Sequence, residues 1–395
     1  MYLTLEIFLA GAALLVFVPC TVLFVEILFA TTRRTDSINC NVERHRLAVV
    51  MPAHNEDSVI AETLKSIVPQ LRSDDRLLVV ADNCTDNTAT IAIDAHVEVI
   101  VRSNLTRRGK GFALDFGIRH LETDPPDIVI IVDADCQVES GSIDRLARVC
   151  TQTSRPVQAL YLMHAGPHAA LKMRIADFAS TVKNLVRPLG LQSLGLPCQL
   201  MGTGMAFPWN CIQSAALATG HIAEDMKLGL DLARAGTPPV FCPEAMVTSE
   251  FPTSARSVFN QRTRWEHGHL SIIMSDAPPM LLESIKRMNL AMFALVLDLT
   301  VPPLALLTIM VVTLCCVSAG VYAIFGMWVP LLVATISGAL LALSVLLSWA
   351  RFGRQLISLG SLALGAVYPL WKIPIYARFL VARQLDWVKS KRGDD

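Results

Sequence analysis

The segment Asp127 to Gln137, DIVIIVDADCQ, decides the fold of this chain. Five consecutive β-branched residues, Ile128 to Val132, are too few to cross a membrane and too apolar for an exposed strand, so they predict a buried parallel strand. Asp133 and Asp135 follow directly. Because ligands in open α/β sheets bind beyond the carboxyl ends of the strands, these two carboxylates are expected to face a crevice.

Two carboxylates one residue apart repel each other, and a hard divalent cation relieves that repulsion. Mg2+ binds to proteins through one or two carboxylates together with substrate phosphates. Asp133 and Asp135 are therefore candidate metal ligands. The alternative is a solvated turn after the strand, since a DxD sequence alone is a weak signal.

The composition places part of the chain in lipid. Of the 395 residues, 53% are hydrophobic and only 17% are charged, which is too apolar for an ordinary soluble enzyme. Lys and Arg number 34, as do Asp and Glu, so no net charge favours nucleic acid as a partner. The ten cysteines show no CxxC and no Cys/His metal spacing, which favours small hydrophobic side chains in a reducing compartment over a disulfide frame.

Residues 1–32 predict a transmembrane anchor. They contain no Lys or Arg, and Phe8 to Ala30 is apolar apart from Glu26. A signal peptide has a basic region before its apolar stretch, so an uncleaved span fits better. Arg33 and Arg34 follow at once, and the bias of positive charge toward the cytosol then places the N-terminus outside.

A second apolar region, Met288 to Ala350, also lacks Lys and Arg. A Pro-Pro pair and an Asp interrupt its first part, so we expect interfacial helices over residues 276–303 and a two-span hairpin over 304–350. Leu356 to Trp371 is short and contains Gly and Pro between basic residues. A further crossing would place a basic tail outside, so residues 351–395 predict a re-entrant or interfacial segment and a cytosolic tail.

Residues 45–275 predict a cytosolic α/β domain, because short β-branched runs alternate with helical segments. This pattern predicts right-handed βαβ units and a mostly parallel sheet. The predicted strands are Leu47 to Met51, Arg76 to Ala81, Val97 to Val101, Ile128 to Val132 and Val157 to Leu162. The predicted helices are Asp57 to Gln70, Asn87 to Ala95, Gly111 to His120, Ser142 to Thr151, Ala169 to Leu189 and Ile222 to Ala235.

The predicted helix Ala169 to Leu189 carries basic residues among apolar ones. That pattern is typical of an amphipathic helix on a membrane surface, and equally of a helix that covers the sheet.

Polar residues also follow the first two predicted strands. The first strand ends in Pro52 to Glu56, PAHNE, which is either part of a binding site or a polar turn that caps the next helix. Asp82 ends the second strand and occupies the same topological place as Asp133, which makes it a candidate for binding a base or ribose. Asp86 suits the N-cap of the helix that follows.

Three further segments carry charge suited to a phosphorylated substrate. Arg107 to Gly111, RRGKG, opens a helix with basic side chains and flexible backbone, which suits either a diphosphate site or a solvated loop. Glu224 and Asp225 lie in a helical segment, where acidic pairs also stabilise a first turn. Gln261 to Trp265, QRTRW, offers an arginine that can clamp phosphate and an aromatic face for a sugar ring, although such a pair is also common in rims and cores.

Taken in order, these motifs resemble the D, DxD, ED and QxxRW series of membrane-bound family-two glycosyltransferases. The family includes cellulose, chitin and hyaluronan synthases and many bacterial exopolysaccharide transferases. The resemblance covers about residues 45–270 and implies a GT-A fold, a Rossmann-like α/β domain, joined to transmembrane helices. Its motif positions in this chain are Asp82, Asp133, Asp135, Glu224, Asp225, Gln261, Arg264 and Trp265.

The resemblance also implies roles for individual residues. Asp225 would be the general base, with Glu224 beside it, and Asp135 and Asp133 would bind Mg2+ or Mn2+. The residues expected to bind the nucleotide-sugar are Pro52, His54, Glu56, Asp82, Lys110 and Asp133. Those expected to line the acceptor and diphosphate site are Gly202, Thr203, Gly204, Gln261, Arg264 and Trp265. Asp115 departs from the family pattern, because many relatives have Asn there.

The expected activity is inverting, metal-dependent transfer from a nucleotide-sugar, most simply a UDP-sugar, to a growing polysaccharide or lipid-linked oligosaccharide. The alternatives are transfer of one sugar to a membrane lipid, as in ceramide glucosyltransferases, and a catalytically silent synthase subunit. The expected location is a bacterial inner membrane with the catalytic domain in the cytosol. Three spans are few for a polymer channel, so export would need a homo-oligomer or a partner protein.

Overall fold

The computed structural model describes residues 2–32, 42–166, 169–251, 254–381 and 383. Arg33, Arg34 and the basic residues of the tail beyond 383 lie outside this part of the chain. The described residues divide into two compact units. We call them the sheet unit, residues 42–164, 196–251 and 254–272, and the helical unit, residues 2–32, 165–166, 169–195, 273–381 and 383.

The strands and helices are numbered in chain order. The strands are β1 Leu47–Ala53, β2 Arg76–Asp82, β3 Glu98–Arg102, β4 Ile128–Ile131, β5 Gln137–Val138, β6 Val157–His164, β7 Met205–Pro208 and β8 Val240–Glu250. The α-helices are α1 Tyr2–Thr31, α2 Ile60–Ile67, α3 Thr88–Asp94, α4 Lys110–Leu121, α5 Ser142–Thr153, α6 Leu171–Thr181, α7 Arg187–Ser193, α8 Trp209–Ile212, α9 Glu224–Arg234, α10 Ala255–Ser275, α11 Ala277–Lys286, α12 Leu290–Thr300, α13 Leu304–Phe325, α14 Trp328–Ser348, α15 Leu359–Leu364 and α16 Ile373–Val381. Short 3-10 helices occupy Val68–Gln70 and Gly365–Lys372, and π-helical turns occupy Val182–Val186 and Trp349–Gly353.

The sheet unit is built on one mixed sheet with the strand order β3-β2-β1-β4-β7-β6-β8-β5. β1 pairs in parallel with β2 and β4, β2 with β3, and β6 with β8. β7 runs antiparallel to β4 and β6, and β5 runs antiparallel to β8. The mostly parallel α/β sheet predicted from the sequence is therefore confirmed.

Helices cover both faces of the sheet, which explains why its central strands are apolar throughout. On β1, Val49 and Met51 join the core cluster that includes residues of α2 and α5. Ala48 and Val50, which point to the opposite face, join the cluster that includes residues of α4 and α9. All four residues of β4 are buried, as its β-branched sequence predicts.

Three strands were not predicted, namely β5, β7 and β8. β7 has only four residues and ends in Pro208, so it lacks the length of a recognisable β-branched run. β8 contains a proline and alternates in burial, and its pairing with β6 shifts register between Ala159 and Leu160. Short or interrupted strands carry too weak a sequence pattern to be seen before their partners are known.

The helical unit contains three helices that are long and apolar enough to cross a membrane by length and composition. They are Glu6–Thr31, Leu304–Phe325 and Trp328–Gly353. The predicted helix Ala169 to Leu189 is instead divided into α6, a π-helical turn and α7. α7 packs against α1 so closely that a side chain at Gly190 would overlap the backbone carbonyl of Glu26. Residues Arg187 to Leu191 of this second half are buried.

The ion pairs of Arg187 explain how α7 can be buried although it carries this charged residue. Its Nε donates to Glu26 Oε2 at 2.7 Å, and its Nη2 donates to Asp298 Oδ1 at 2.5 Å and to the Asp298 backbone carbonyl at 2.7 Å. All three side chains are buried. A buried charge is tolerated when it is paired and hydrogen-bonded, so this triad ties together three segments of the helical unit.

Candidate active site

Asp82 is fixed at the carboxyl end of β2. Its carboxylate Oδ1 accepts hydrogen bonds from Arg102 Nη1 at 2.5 Å and from Asn83 Nδ2 at 2.9 Å. His54 Nδ1 lies 2.6 Å from the Asp82 carbonyl oxygen, and Pro52 pairs with β2 in the sheet. The structure thus brings the first-strand residues Pro52 and His54 beside Asp82, as the sequence predicts for neighbouring strand ends.

The loops after β1 and β2 are joined by side-chain hydrogen bonds. The Thr85 N–H donates to Asn55 Oδ1 at 2.7 Å, and the Glu56 N–H donates to Thr88 Oγ1 at 2.7 Å. Asp86 Oδ1 accepts from the Thr88 N–H at 3.0 Å, so its role is structural, as expected. The N-cap of α3 is nevertheless Asn87 and not Asp86, because the helix begins one residue later than the sequence predicts. Glu56 is half-buried at this edge of the sheet.

Asp133 and Asp135 follow β4. Lys110 connects Asp133 to the glycine loop, Gly202-Thr203-Gly204, which precedes β7. The Lys110 amine forms an ion pair with the Asp133 carboxylate and donates to the Gly202 carbonyl oxygen at 2.6 Å. The Asp133 N–H donates to Thr203 Oγ1 at 3.1 Å. The DxD segment, the first turn of α4 and the loop before β7 therefore form one connected site.

The charges at this site are mutually dependent. Burial raises the pKa of Asp133. The neighbouring carboxylate of Asp135 raises it further, while the positive charge of Lys110 opposes the shift. Burial disfavours the charged amine of Lys110, but the fields of Asp133 and Glu224 outweigh it and raise the pKa of this lysine. Crowded carboxylates of this kind favour binding of a cation.

The donor set fits a divalent metal in one particular mode. Within the described residues, no group of three or more His, Cys, Asp or Glu side chains is arranged to hold a metal ion. Asp133 and Asp135 supply two hard oxygen ligands, which suits Mg2+ or Mn2+ when substrate phosphates complete the coordination. The residues present therefore fit a metal ion whose coordination is completed by the phosphates of a bound substrate.

The loop Gly202-Thr203-Gly204 lies against the predicted base. Gly202 has φ +92°, and a Cβ there would lie 3.3 Å from Asp225 Oδ2. Gly204 has φ +63°, and a Cβ there would lie 2.8 Å from a methyl group of Val247. Both positions require glycine for conformation and space, so the backbone of this loop can approach a substrate closely.

Gln158 holds this loop in place and was missed in the sequence. Its side chain is fully buried, and its Nε2 donates to the Thr203 carbonyl oxygen at 2.9 Å. Its Oε1 accepts from the Met201 N–H at 2.7 Å. The available signal was a single amide in the otherwise apolar strand VQALYL, since a buried polar residue needs hydrogen-bond partners.

Glu224 and Asp225 begin α9 and are both half-buried. Burial and the neighbouring Asp225 raise the pKa of Glu224 to about 7, although Lys110 works against the shift. The pair opens onto a pocket whose lining includes Lys110, Gly111, Leu217, Glu224 and Asp225. Lys110 thus acts on both carboxylate clusters, the DxD pair and the pair at the start of α9.

Helix α10 carries the QxxRW residues and brings Arg264 near the carboxylates of the site. Gln261 is buried, Arg264 is half-buried, and the Trp265 side chain is 38% exposed. Burial lowers the pKa of Arg264, while the carboxylates of Glu224 and Asp133 oppose this shift, which places the guanidinium in their field. Asp115 accepts a hydrogen bond from Arg119 Nε at 2.8 Å on the same helix.

Comparison with known proteins agrees with this arrangement. Residues 45–268 match the family described as glycosyltransferase like family 2. The probable glycosyltransferase YdaM of Bacillus subtilis is 27% identical over 258 residues, which cover 59% of this chain and 57% of the relative. The uncharacterized protein MJ1222 of Methanocaldococcus jannaschii is 30% identical over 172 residues, which cover 43% of this chain and 63% of the relative. The chain thus spans about 57% to 63% of these relatives.

A solved structure with the same fold is the mannosyltransferase PcManGT from Pyrobaculum calidifontis, in complex with GDP-Man and Mn2+. The two structures superpose with a TM-score of 0.58 at 16% sequence identity, over 96% of this chain and all of that one. This likeness concerns the fold, whereas the family match covers more than half of the sequence. The chain therefore belongs to glycosyltransferase family 2, and residues 45–268 are its family-2 domain.

Proposed function

We propose that the protein is a membrane-bound, inverting, metal-dependent glycosyltransferase that moves a sugar from a nucleoside diphosphate donor to a saccharide or lipid-linked acceptor in cell-surface polysaccharide synthesis. The observation that carries this proposal is the position of Lys110 between two carboxylate clusters. It pairs with Asp133 of the DxD segment and lies in the field of Glu224 at the start of α9. One cluster suits a diphosphate and its metal, and the other suits proton transfer.

Donor binding uses the strand ends. Asp82, His54 and Glu56 would contact the base and ribose, beside Pro52, and the closeness of His54 to Asp82 supports this role. Asp133 and Asp135 would hold Mg2+ or Mn2+, which when bound neutralises charge on the departing diphosphate. Lys110 and Arg264 add positive charge in fixed positions, and preorganised charge of this kind stabilises a leaving group better than water does.

Transfer then requires a base for the acceptor hydroxyl. Asp225 takes this proton while the hydroxyl oxygen attacks the anomeric carbon on the face opposite the diphosphate. The bond between the sugar and the diphosphate breaks, and its electron pair leaves with the nucleoside diphosphate. The configuration at the anomeric carbon inverts. Asp225 suits this role better than Glu224, because its Oδ2 faces Gly202 in the acceptor loop. A positioned base typically accelerates such a step by about 10^2 to 10^4.

Single-sugar transfer to a membrane lipid is the second candidate. Three helices in the described chain are long enough to cross a membrane, and three are few to enclose a polymer channel. An elongating enzyme of this size would depend on a homo-oligomer or an export partner, whereas transfer to one lipid would not. A silent subunit is disfavoured because every carboxylate of the series is present.

The test is nucleotide release by the purified protein. It would be incubated in detergent with UDP-, GDP- and dTDP-sugars and membrane lipid extract, with Mg2+, with Mn2+ and with EDTA. Metal-dependent nucleotide release from one donor supports the proposal. With a radiolabelled sugar, a ladder of products indicates an elongating enzyme, whereas a single labelled lipid indicates transfer of one sugar. Absence of both release and donor binding would contradict the proposal.

The proposed location is a bacterial inner membrane, with the N-terminus outside and the family-2 domain in the cytosol. The support is the run of residues 1–32 without Lys or Arg and the basic residues that follow it. Reporter fusions at residue 40 and at the C-terminus would test the orientation, since both should report the cytosolic side.

A further inference from the structure

The chain after the last predicted span has two apolar faces. The segment from Leu359 to Val381, formed by α15, the 3-10 helix and α16, packs one face inside the helical unit. Its buried side chains are Tyr368, Ile375, Tyr376 and Phe379. Its opposite side is also apolar but exposed, with Leu364, Val367, Leu370, Trp371, Leu380 and Val381 each more than half accessible. A helix at a water interface would carry polar side chains there, so this face is suited to lipid.

The sequence that carries the exposed face is basic. The sequence from Trp349 to Arg383 contains five Lys and Arg and no Asp or Glu. Lys172 of α6 is exposed, and its Nζ lies 3.3 Å from the centroid of the Trp371 ring. Lys372 Nζ lies 5.7 Å from the Tyr368 ring. Cations resting on aromatic rings beside exposed apolar side chains are typical of the headgroup level of a bilayer.

The segment suits the membrane surface better than a crossing. Lys372 is near its middle, and a crossing would place this ammonium group in hydrocarbon, which is costly. Pro369 and Pro374 divide it into short helices. Its apolar face is suited to acyl chains and its cations to a negatively charged headgroup. An anionic phospholipid has both.

We propose that Leu359 to Val381, together with Lys172, forms a docking surface for anionic phospholipids. The inference rests on the proposed membrane location, but not on the transferase activity. Acyl chains contact the exposed leucines and Trp371, and the lipid phosphate contacts Lys172 and Lys372. Juxtamembrane cations attract anionic lipid by an amount that corresponds to about fivefold in affinity for each Lys or Arg.

The full chain would be reconstituted in nanodiscs of phosphatidylcholine with one quarter phosphatidylglycerol, and the lipids retained after detergent extraction would be measured by mass spectrometry. We expect phosphatidylglycerol to be enriched over its bulk share in the wild-type protein. The variant Lys172→Gln/Lys372→Gln should lower the retained ratio of phosphatidylglycerol to phosphatidylcholine by about fivefold per cation, toward the bulk ratio, while Lys172→Arg/Lys372→Arg should keep it. A matched control, Lys65→Gln/Arg119→Gln, changes two exposed cations of the sheet unit and should behave as wild type.

Retention of the two lipids in their bulk ratio by the wild-type protein would overturn the proposal. So would enrichment that survives Lys172→Gln/Lys372→Gln at an unchanged melting temperature, or displacement of the lipid by inorganic phosphate alone. Nucleotide release measured on the same samples keeps the two proposals apart, because an active enzyme without lipid preference contradicts only this surface.

Discussion

The amine of Lys110 is paired with the carboxylate of Asp133, and the same amine contacts the carbonyl oxygen of Gly202. This one lysine therefore joins the segment expected to hold the donor diphosphate to the loop expected to hold the acceptor. Its position also explains how Asp133 and Glu224 can be half-buried in one site, since each carboxylate is near the same positive charge.

Lys110→Met should strongly reduce catalysis, because it removes the charge between the two carboxylate clusters. We expect kcat/KM for nucleotide release to fall by about 10^2 to 10^3, the range seen when a preorganised charge-stabilising group is removed. Steady-state kinetics at saturating metal would measure this. The matched control is Lys65→Met on α2, whose exposed amine pairs only locally with Glu62. Equal activities of the two variants would contradict a catalytic contribution from the charge of Lys110.

Gln158→Leu should impair acceptor use more than donor binding. The variant leaves the Met201 N–H and the Thr203 carbonyl without their partner, and each such buried loss costs about 1 to 3 kcal/mol. The glycine loop then loses its fixed position beside Asp225. We expect a higher acceptor KM with a donor Kd within about threefold of wild type. Gln158→Glu keeps an acceptor for the Met201 N–H but places a buried carboxylate against the Thr203 carbonyl oxygen, so it should be at least as severe. Equal loss of donor binding would indicate general unfolding instead.

The parts of the site predicted from sequence are those with a local cause. β4 and its DxD segment follow from a run of β-branched residues that ends in two carboxylates. Gly202 and Gly204 were instead implied by the family resemblance, and the positive φ values that favour glycine there appear only in the structure. The partners of Gln158 lie about 45 residues away, and those of Arg187 lie 111 and 161 residues away. Side chains whose role depends on such distant contacts have no local pattern, which is why both were missed.

Glu224→Gln should stabilise the protein in neutral to alkaline solution while reducing activity. Burial raises the pKa of Glu224 to about 7 in the folded site, above its ordinary value near 4.5. Folding is therefore penalised as pH rises from about 4.5 to 7, where the unfolded chain ionises first, and the full penalty is present above pH 7. Removing the carboxyl should recover about 1 to 3 kcal/mol at pH 8 and almost nothing at pH 4.

Thermal unfolding in EDTA at both pH values would measure this difference. Glu62→Gln, which removes an exposed carboxyl of α2, is the control and should show no such dependence. A stabilisation equal at pH 4 and pH 8 would mean that ionisation of Glu224 is not its cause.

Arg187→Met should destabilise the helical unit, because it leaves Glu26 and Asp298 buried without their cation. Loss of one partner from a buried ion pair costs about 3 to 5 kcal/mol, which corresponds to a fall in Tm of about 10 °C. Replacing all three side chains, as Glu26→Met/Arg187→Met/Asp298→Leu, should restore much of that stability. The control is the exposed Arg287→Met. A triple variant no more stable than Arg187→Met would contradict the pairing argument.

The most direct test of the central claim is nucleotide release by Asp225→Asn, measured together with donor affinity. Release should fall by about 10^2 to 10^4 while the donor Kd stays close to wild type, since the variant removes a proton acceptor and little else. Asp231→Asn on the same helix, where the carboxylate pairs with Lys227, should retain wild-type release. Release within a few-fold of wild type in Asp225→Asn would contradict the assignment of Asp225 as the base and, with it, the proposed mechanism.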